Sequence, residues 1–300
     1  MNIVVIGHGM VGHKFLEQLH ALGVADANVT VLCEEPRAAY DRVHLSEFFS
    51  GKSAEDLSLV APGFFEASGF TLRLAARAAA VERRERTVTT ADGEVIPYDR
   101  LVLATGSAPF VPPVPGRDRP HCFVYRTIED LEAMQASAAR SRTGVVVGGG
   151  LLGLECAKAL RDLGLETHVV EFAPRLMAVQ VDDGGGRVLR SKIEDLGVQV
   201  HTGRNTLEIT DGATARHRMV FADGTHLETD MIVFSAGIRP RDEIARQCAL
   251  AIGPRGGVAV DDHCRTSDRN VYAIGECASW REQTFGLVAP GYDMARVAAR

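Results

Sequence analysis

The sequence predicts an α/β chain built from two copies of one three-layer domain, each a parallel sheet with helices on both faces. Three observations carry this. Two glycine-rich turns, Gly7-His8-Gly9-Met10-Val11-Gly12 and Gly148-Gly149-Gly150-Leu151-Leu152-Gly153, each lie between a short apolar run and helically spaced leucines. In each copy a second apolar run follows and ends on acid, at Glu34-Glu35 and at Glu171. The stretch from Ala91 to Gly106 also resembles the stretch from Ala222 to Gly237. Both contain an Asp-Gly turn, an Asp ahead of an apolar strand, and a small-residue turn closing on Gly. A long period with few copies is a duplicated domain, not a solenoid.

Taken in order, Ile3 to Ile6 reads as the first strand. Phe15, Leu16, Leu19 and Leu22 mark a helix stopped by Gly23, and Val29 to Cys33 is the second strand. His8 and His13 flank the first turn and read as packed or exposed residues, not as proton carriers. Arg83-Arg84-Glu85-Arg86 reads as a solvated hairpin charge run. Pro109, Pro112, Pro113 and Pro115 exclude helix and central strand up to Gly116, so this stretch is expected to connect the copies. In the second copy, Gly144 to Val147 is a strand. Leu154, Ala157, Ala159, Leu160 and Leu163 mark a helix stopped at Gly164, and His168 to Val170 is a strand running to Glu171. Asp182-Asp183 reads as a helix N-cap. Gly184-Gly185-Gly186 has no strand ahead of it and reads as a weak helix start, not a phosphate loop. A return crossing is expected near Arg239-Pro240-Arg241, with Gly257 to Asp261 and Val271 to Gly275 as strands rejoining the first domain. The expected bounds are 1–113 with 243–300 for one domain and 114–242 for the other. The apolar pattern Met294, Val297, Ala298 is still running at Arg300, which predicts a helix continuing into further domains after 300.

Composition agrees with this reading. At about 150 residues per domain, 300 residues make two domains. A chain that is 46% hydrophobic and 24% charged is neither disordered, collagen-like nor a disulfide scaffold. Lys plus Arg total 33 against 39 Asp plus Glu, a net charge of -6, which makes no case for nucleic acid or an anionic membrane. No run approaches the length of a bilayer span, and nothing resembling a leader precedes the first strand, so a cytoplasmic protein is expected. Cys33, Cys122, Cys156, Cys248, Cys264 and Cys277 show no short spacing. That argues against zinc, an iron–sulfur cluster and a redox disulfide, so no metal is expected. Each cysteine reads as a small core residue in a reducing compartment.

The glycine turns point to chemistry. In a turn of this kind the first Gly makes the tight bend, the second lets a pyrophosphate approach the backbone, and the third lets helix and strand pack closely. The helix N-terminus then offers free N–H groups and the positive end of its dipole to the phosphates. Glu34 and Glu171 are spaced to accept hydrogen bonds from ribose hydroxyls. Two dinucleotide sites in one chain imply a flavin and a nicotinamide, the acceptor and donor of a hydride. A 2′-phosphate beside Glu171 would meet a carboxylate, so NADH is the expected substrate, with NADPH the alternative. Arg175 follows closely enough to swing towards such a phosphate.

Over its whole length the chain resembles the flavoproteins of the pyridine nucleotide–disulfide oxidoreductase superfamily. The resemblance implies two Rossmann-like domains, the NAD(P)H domain inserted in a discontinuous FAD domain. Ala104-Thr105-Gly106 matches the family's turn by the flavin. Thr266 to Ala278, with Gly275-Glu276, matches the late flavin motif whose acid binds the ribityl chain. Most members carry Asp there, and Glu276 is one methylene longer. The implied FAD contacts are Gly7, Gly9, Met10, Val11, Gly12, Glu34, Glu35, Arg42, Ala78, Ala104, Thr105, Gly106, Gly275 and Glu276, with Arg42 on the phosphates. The implied NAD contacts are Gly148, Gly150, Leu151, Leu152, Gly153, Glu155, Glu171, Ala236 and Gly237, with Glu155 matching a family glutamate near the nicotinamide.

The stretches Gly7 to Phe15, Ala39 to Ser46 and Gly275-Glu276-Cys277-Ala278 resemble one branch, the N-terminal flavin module of assimilatory NAD(P)H-dependent nitrite reductase large subunits. This implies an NADH-oxidising module that passes electrons to iron–sulfur and siroheme domains or to a small iron–sulfur protein. It implies no strictly catalytic side chain, and it leaves a homodimer open. The disulfide reductases' cysteine pair is missing, as is the single cysteine that the peroxide-reducing branch carries near Leu45 to Phe49. Glu47 stands where ferredoxin-reductase-like members usually have Lys. Siroheme ligation needs clustered cysteines, so nitrite chemistry is expected outside these residues. Two alternatives stay open: a stand-alone ferredoxin or rubredoxin reductase, and an NADH-sensing flavoprotein of slow turnover.

Overall fold

Val4 and Ile6 point to one side of the first strand and Ile3 and Val5 to the other, and all four are buried. A strand apolar on both faces belongs in the middle of a covered parallel sheet. The computed structural model, which describes residues 1–23 and 27–300, puts it there. Strand β1 (Asn2–Ile6) leads through helix α1 (Met10–Ala21) to β2 (Asn28–Leu32), parallel to β1 in register Asn2↔Asn28 to Ile6↔Leu32. A short 3-10 helix (Leu45–Ser50) and α2 (Phe64–Ser68) precede β3 (Thr71–Arg73). The antiparallel meander β4 (Ala78–Glu82), β5 (Thr87–Thr90) and β6 (Val95–Pro97) follows, and β7 (Arg100–Leu103) returns to pair with β1.

After β8 (Ser107–Pro109) the plan repeats. Strand β9 (Cys122–Val124) is followed by α3 (Ile128–Ala138), whose Thr127 and Asp130 form a capping box. Strand β10 (Thr143–Val147), helix α4 (Leu151–Asp162) and β11 (Glu166–Glu171) form the second strand–helix–strand unit. Helix α5 (Asp183–Asp195) starts where the acids were expected to cap it: Asp182 Oδ1 accepts from Gly185 N at 2.8 Å. Strand β12 (Gln199–Thr202), the meander β13 (Thr206–Asp211), β14 (His217–Phe221) and β15 (His226–Thr229), and then β16 (Met231–Phe234) complete the copy. Strand β17 (Ile238–Pro240) leads to α6 (Glu243–Gln247), β18 (Val258–Val260), β19 (Val271–Ala273), β20 (Ala278–Trp280) and α7 (Val288–Ala298).

The two central sheets have matching strand orders, β19-β7-β1-β2-β3 and β9-β16-β10-β11-β12, all pairs parallel. The outer position beside β7 or β16 is filled from opposite ends of the chain: β19 comes late and β9 early. The chain divides into two compact units, 1–41 with 55–108 and 239–300, and 42–54 with 109–238. The crossings therefore fall a few residues ahead of the expected 113/114 and 242/243. The segment 42–54, expected in the first domain, goes with the second unit. Its 3-10 helix packs on α3 and α4, Leu45 is buried, and Arg42 Nη1 donates to Arg126 O at 2.7 Å.

One expectation fails in the first unit. Arg83 is not part of a solvated charge run. Its Nε donates to Asp268 Oδ2 at 3.0 Å and its Nη1 to Cys248 O and Ala249 O at 3.1 and 2.9 Å. The side chain ties the β4–β5 hairpin to the returning C-terminal segment. Local charge density could not show this, because the partners are more than 160 residues away in sequence. Among the described residues all six cysteines are free, and no helix is long and apolar enough to cross a membrane.

Candidate functional site

The first glycine of each turn is fixed by backbone on backbone. Gly7 has φ +108° and a Cβ there would drive into the Ala104 carbonyl; Gly148 has φ +123° and a Cβ would drive into the Ser235 carbonyl. The turn is therefore folded against the small-residue turn after β7 or β16, which brings Ala104 to the first motif and Ala236 to the second. The third glycine is excluded in the same manner. A Cβ on Gly12 or Gly153 would fall on the carbonyl of Gly7 or Gly148. The second glycine differs. A Cβ on Gly9 or Gly150 meets nothing within 4 Å, and each of these residues caps its helix with no side-chain hydrogen bond. In both copies the helix begins with N–H groups that the N-cap side chain does not satisfy, beside open space at the second glycine. That is the geometry an anionic group uses at a helix N-terminus.

In unit 1 the remaining motif residues gather near this turn. A Cβ on Gly275 would lie 3.2 Å from the Val11 side chain and one on Gly291 2.6 Å from it, so the turn at Gly275 and α7 can approach α1 only through glycine. Glu276 Oε2 accepts from Ser107 Oγ at 2.7 Å. Thr105 Oγ1 donates to Arg241 O at 2.6 Å, and Arg241 N donates to Gly106 O at 2.9 Å. Glu34 pairs with Arg241 at 2.5 Å, both side chains close to half exposed, while Tyr40 OH donates to Glu35 Oε2 at 2.8 Å. Ala78 is the first residue of β4, opposite Thr90 and packed on the core. Arg42 belongs to the second unit, and its contact there is the Arg126 carbonyl.

Position 8 is occupied by a buried imidazole. His8 Nδ1 accepts from Ala39 N at 3.1 Å, and its Nε2 has no partner among the described residues. Burial, with His13 close by, holds its pKa down to about 3. Phe64 and Phe65 pack edge-on against the two rings. Both histidines are packed.

In unit 2 the corresponding position is Gly149, and the space is taken by Glu171 and Leu176, whose atoms would lie 3.0 and 2.6 Å from a Cβ there. The Glu171 carboxylate accepts from Gly149 N at 2.5 Å and from Ala173 N at 2.7 Å. Arg175, expected to be able to swing towards a phosphate, is engaged by three partners here. Its Nε donates to Val181 O at 2.9 Å, its Nη2 to Ala178 O at 3.1 Å, and its Nη1 pairs with Asp183 at 2.8 Å. Its stem also covers Gly186, where a Cβ would lie 3.0 Å from Arg175 Cδ. Glu155, one turn into α4, is half-buried. Burial raises its pKa, and His44 opposes that shift.

Motif reading missed Arg241 and Ser107. The signal for Arg241 was present as a charged residue directly after the crossing proline, and for Ser107 as a small polar residue continuing Thr105-Gly106.

Over residues 1–300 the chain matches the family described as pyridine nucleotide-disulphide oxidoreductase. It is 57% identical over 300 residues to the nitrite reductase (NADH) large subunit of Escherichia coli strain K12, covering 99% of this chain and 35% of that protein. It is 42% identical over 307 residues to a nitrite reductase [NAD(P)H] of Emericella nidulans, covering 99% of this chain and 28% of that one. A ferredoxin reductase structure from Rhodopseudomonas palustris superposes with a TM-score of 0.91 at 28% identity, covering 99% of this chain and 75% of that one. The chain thus spans about a third of the length of the curated relatives it matches.

Proposed function

The chain belongs to the pyridine nucleotide-disulphide oxidoreductase family, and from that premise we propose that it is the FAD- and NADH-binding module of an NADH-dependent nitrite reductase. It is an NAD(P)H-dependent flavoprotein oxidoreductase, in keeping with the relative that shares 57% of its residues, and it works in nitrate assimilation, in keeping with a 33% identical relative named assimilatory nitrate reductase electron transfer subunit. One observation carries the reading: in both copies the second glycine is open while its two neighbours in the motif are jammed against backbone. Packing alone explains the first and third glycines. It does not explain the second, which is accounted for by a ligand that must come that close.

On unit 1, Gly7, Gly9, Met10, Val11 and Gly12 would hold the pyrophosphate of FAD and Glu34 or Glu35 its adenosine ribose. Ala104, Thr105, Gly106, Gly275 and Glu276 would line the flavin side, with Ala78 as a further contact. On unit 2, Gly148, Gly150, Leu151, Leu152 and Gly153 would hold the pyrophosphate of NADH and Glu171 its ribose. Glu155, Ala236 and Gly237 would lie towards the nicotinamide. A bound flavin supplies a hydride acceptor that can hand electrons on singly. The protein's own task is to bind and orient, and no side-chain acid or base is needed. The electron acceptor is an iron–sulfur or siroheme centre on another domain or partner. Six free cysteines suit a reducing cytoplasm.

The test is an acceptor panel. The purified chain should reduce ferricyanide with NADH while leaving nitrite, glutathione disulfide and thioredoxin untouched. Nitrite turnover by these residues alone, or no oxidation of NADH with any acceptor after FAD reconstitution, would overturn the reading.

A further inference from the structure

Phe172 is the residue directly after Glu171, and it is 73% exposed. An aromatic ring left in water on a mobile loop needs no explanation, but this one sits on a clamped segment. On one side of it Glu171 O accepts from Arg204 N at 3.0 Å. On the other, Ala173 N is held by the Glu171 carboxylate at 2.7 Å and Ala173 O accepts from Gly203 N at 2.9 Å. Further along, Arg175 makes its three ties to Ala178, Val181 and Asp183. Met177 N donates to Gly149 O at 2.9 Å, pinning the loop to the glycine turn, and Met177 itself takes φ +46°. A non-glycine residue in that region is strained, and such strain collects at ligand clamps. The loop is therefore rigid, tied to the phosphate-binding turn, and carries a bare phenyl ring beside the acid that faces the ribose.

We propose that the Phe172 ring is the stacking face for the adenine of the dinucleotide bound at the second glycine turn. The inference rests on the reading that unit 2 takes NADH. Its geometry follows from the ligand's own bonds. The base is attached at C1′, the carbon next to the one bearing the 2′-hydroxyl. The group facing the base must then stand beside the group that reads the hydroxyl. Phe172 is bonded to Glu171 and offers a π-face at low conformational cost. Stacking of this kind tolerates any purine, so Glu171 selects the ribose while Phe172 adds affinity for the adenosine end.

The experiment compares wild type, Phe172→Ala and Phe172→Trp as flavin-loaded protein. Calorimetric titration with ADP-ribose reads the adenosine end without turnover. Steady-state KM is measured in parallel for NADH and for reduced nicotinamide mononucleotide, which lacks adenosine. Base–aromatic stacking of about 1–3 kcal/mol predicts ADP-ribose binding about five-fold to a hundred-fold weaker in Phe172→Ala. The KM for NADH should rise by a similar factor, the KM for the mononucleotide should hold, and Phe172→Trp should restore both losses. Unchanged ADP-ribose affinity in Phe172→Ala, or an equal loss for NADH and the mononucleotide, overturns the proposal. If wild type oxidises no NADH yet binds ADP-ribose through Phe172, the proposed activity falls and the stacking role stands.

Discussion

The two glycine turns share a backbone and differ at one position. In unit 1 the residue after the first glycine is His8, whose imidazole fills the space behind the turn and accepts from Ala39 N. In unit 2 it is Gly149, and the same space is filled from outside by Leu176 and by Glu171, which accepts from Gly149 N. The consequence reaches the acid at the end of the second strand. Glu171 is fixed by two backbone N–H groups, whereas Glu34 leans out to a half-exposed ion pair with Arg241. One turn thus carries its filler within the motif and leaves its acid adjustable. The other borrows its acid as filler and so locks a negative charge beside the proposed ribose position. A locked charge suits a site that must discriminate between substrates, and an adjustable one suits a site that keeps a single cofactor.

The largest effects should come from what the turns share. Gly12→Ala and Gly153→Ala push a methyl onto a backbone carbonyl that cannot retreat, and overpacking of this kind costs about 3 kcal/mol. Gly9→Ala and Gly150→Ala, with open space around them, should change stability by less than about 0.5 kcal/mol while weakening nucleotide binding. Urea denaturation of the four variants checks this. Equal losses at all four positions would erase the distinction between packed and ligand-facing glycines.

The next effect separates the turns. His8 is neutral in the folded chain down to about pH 3, whereas an unfolded histidine takes up its proton near 6.5. Between those values the unfolded state binds the extra proton, so stability falls as pH drops below 6.5 and the loss levels off near 3. At pH 5 the loss amounts to about 2 kcal/mol. The difference in unfolding free energy between pH 7 and pH 5 should shrink by that amount in His8→Asn, which keeps an acceptor for Ala39 N–H. A pH slope identical to wild type would place His8 in water. Unit 2 offers no counterpart at Gly149.

A smaller effect tests the locked charge. Arg175, the nearest cation along the chain, is held by Ala178, Val181 and Asp183, so it is not placed to neutralise a 2′-phosphate at Glu171. Two like charges 4 Å apart cost about 1 kcal/mol in water and about 4 at an effective dielectric of 20. NADH should therefore be preferred about five-fold to several hundred-fold in kcat/KM, and Glu171→Ala should improve NADPH about ten-fold relative to NADH. No shift in preference would mean that Glu171 serves only to fill the turn. The smallest effect belongs to the adjustable acid: Arg241→Ala should cost under about 1 kcal/mol, because both partners are half exposed.

Much of this was legible in sequence because it is local. A glycine pattern between an apolar run and a helical repeat specifies the turn, and the repeated Asp-Gly hairpin specifies the duplication. What could not be read depends on partners far along the chain. Arg83 looked like one charge among several until Asp268 and the Cys248 carbonyl came beside it. Arg175 looked free because its anchors are carbonyls, which leave no mark in composition. The stretch from Arg42 to Ala54 follows unit 1 in sequence, yet its buried Leu45 packs with unit 2. Periodicity reports that a face is buried and not against what.

The account's central claim is that both open turns hold dinucleotides and that the second serves the first. It is tested most directly by anaerobic titration of the purified, FAD-reconstituted chain with NADH, following the flavin absorbance near 450 nm. The account predicts about one FAD per chain and bleaching complete at roughly one equivalent of NADH. The same titration of Gly150→Ala should need a large excess. A protein that stays colourless after reconstitution, or a bound flavin that NADH leaves oxidised, would contradict it.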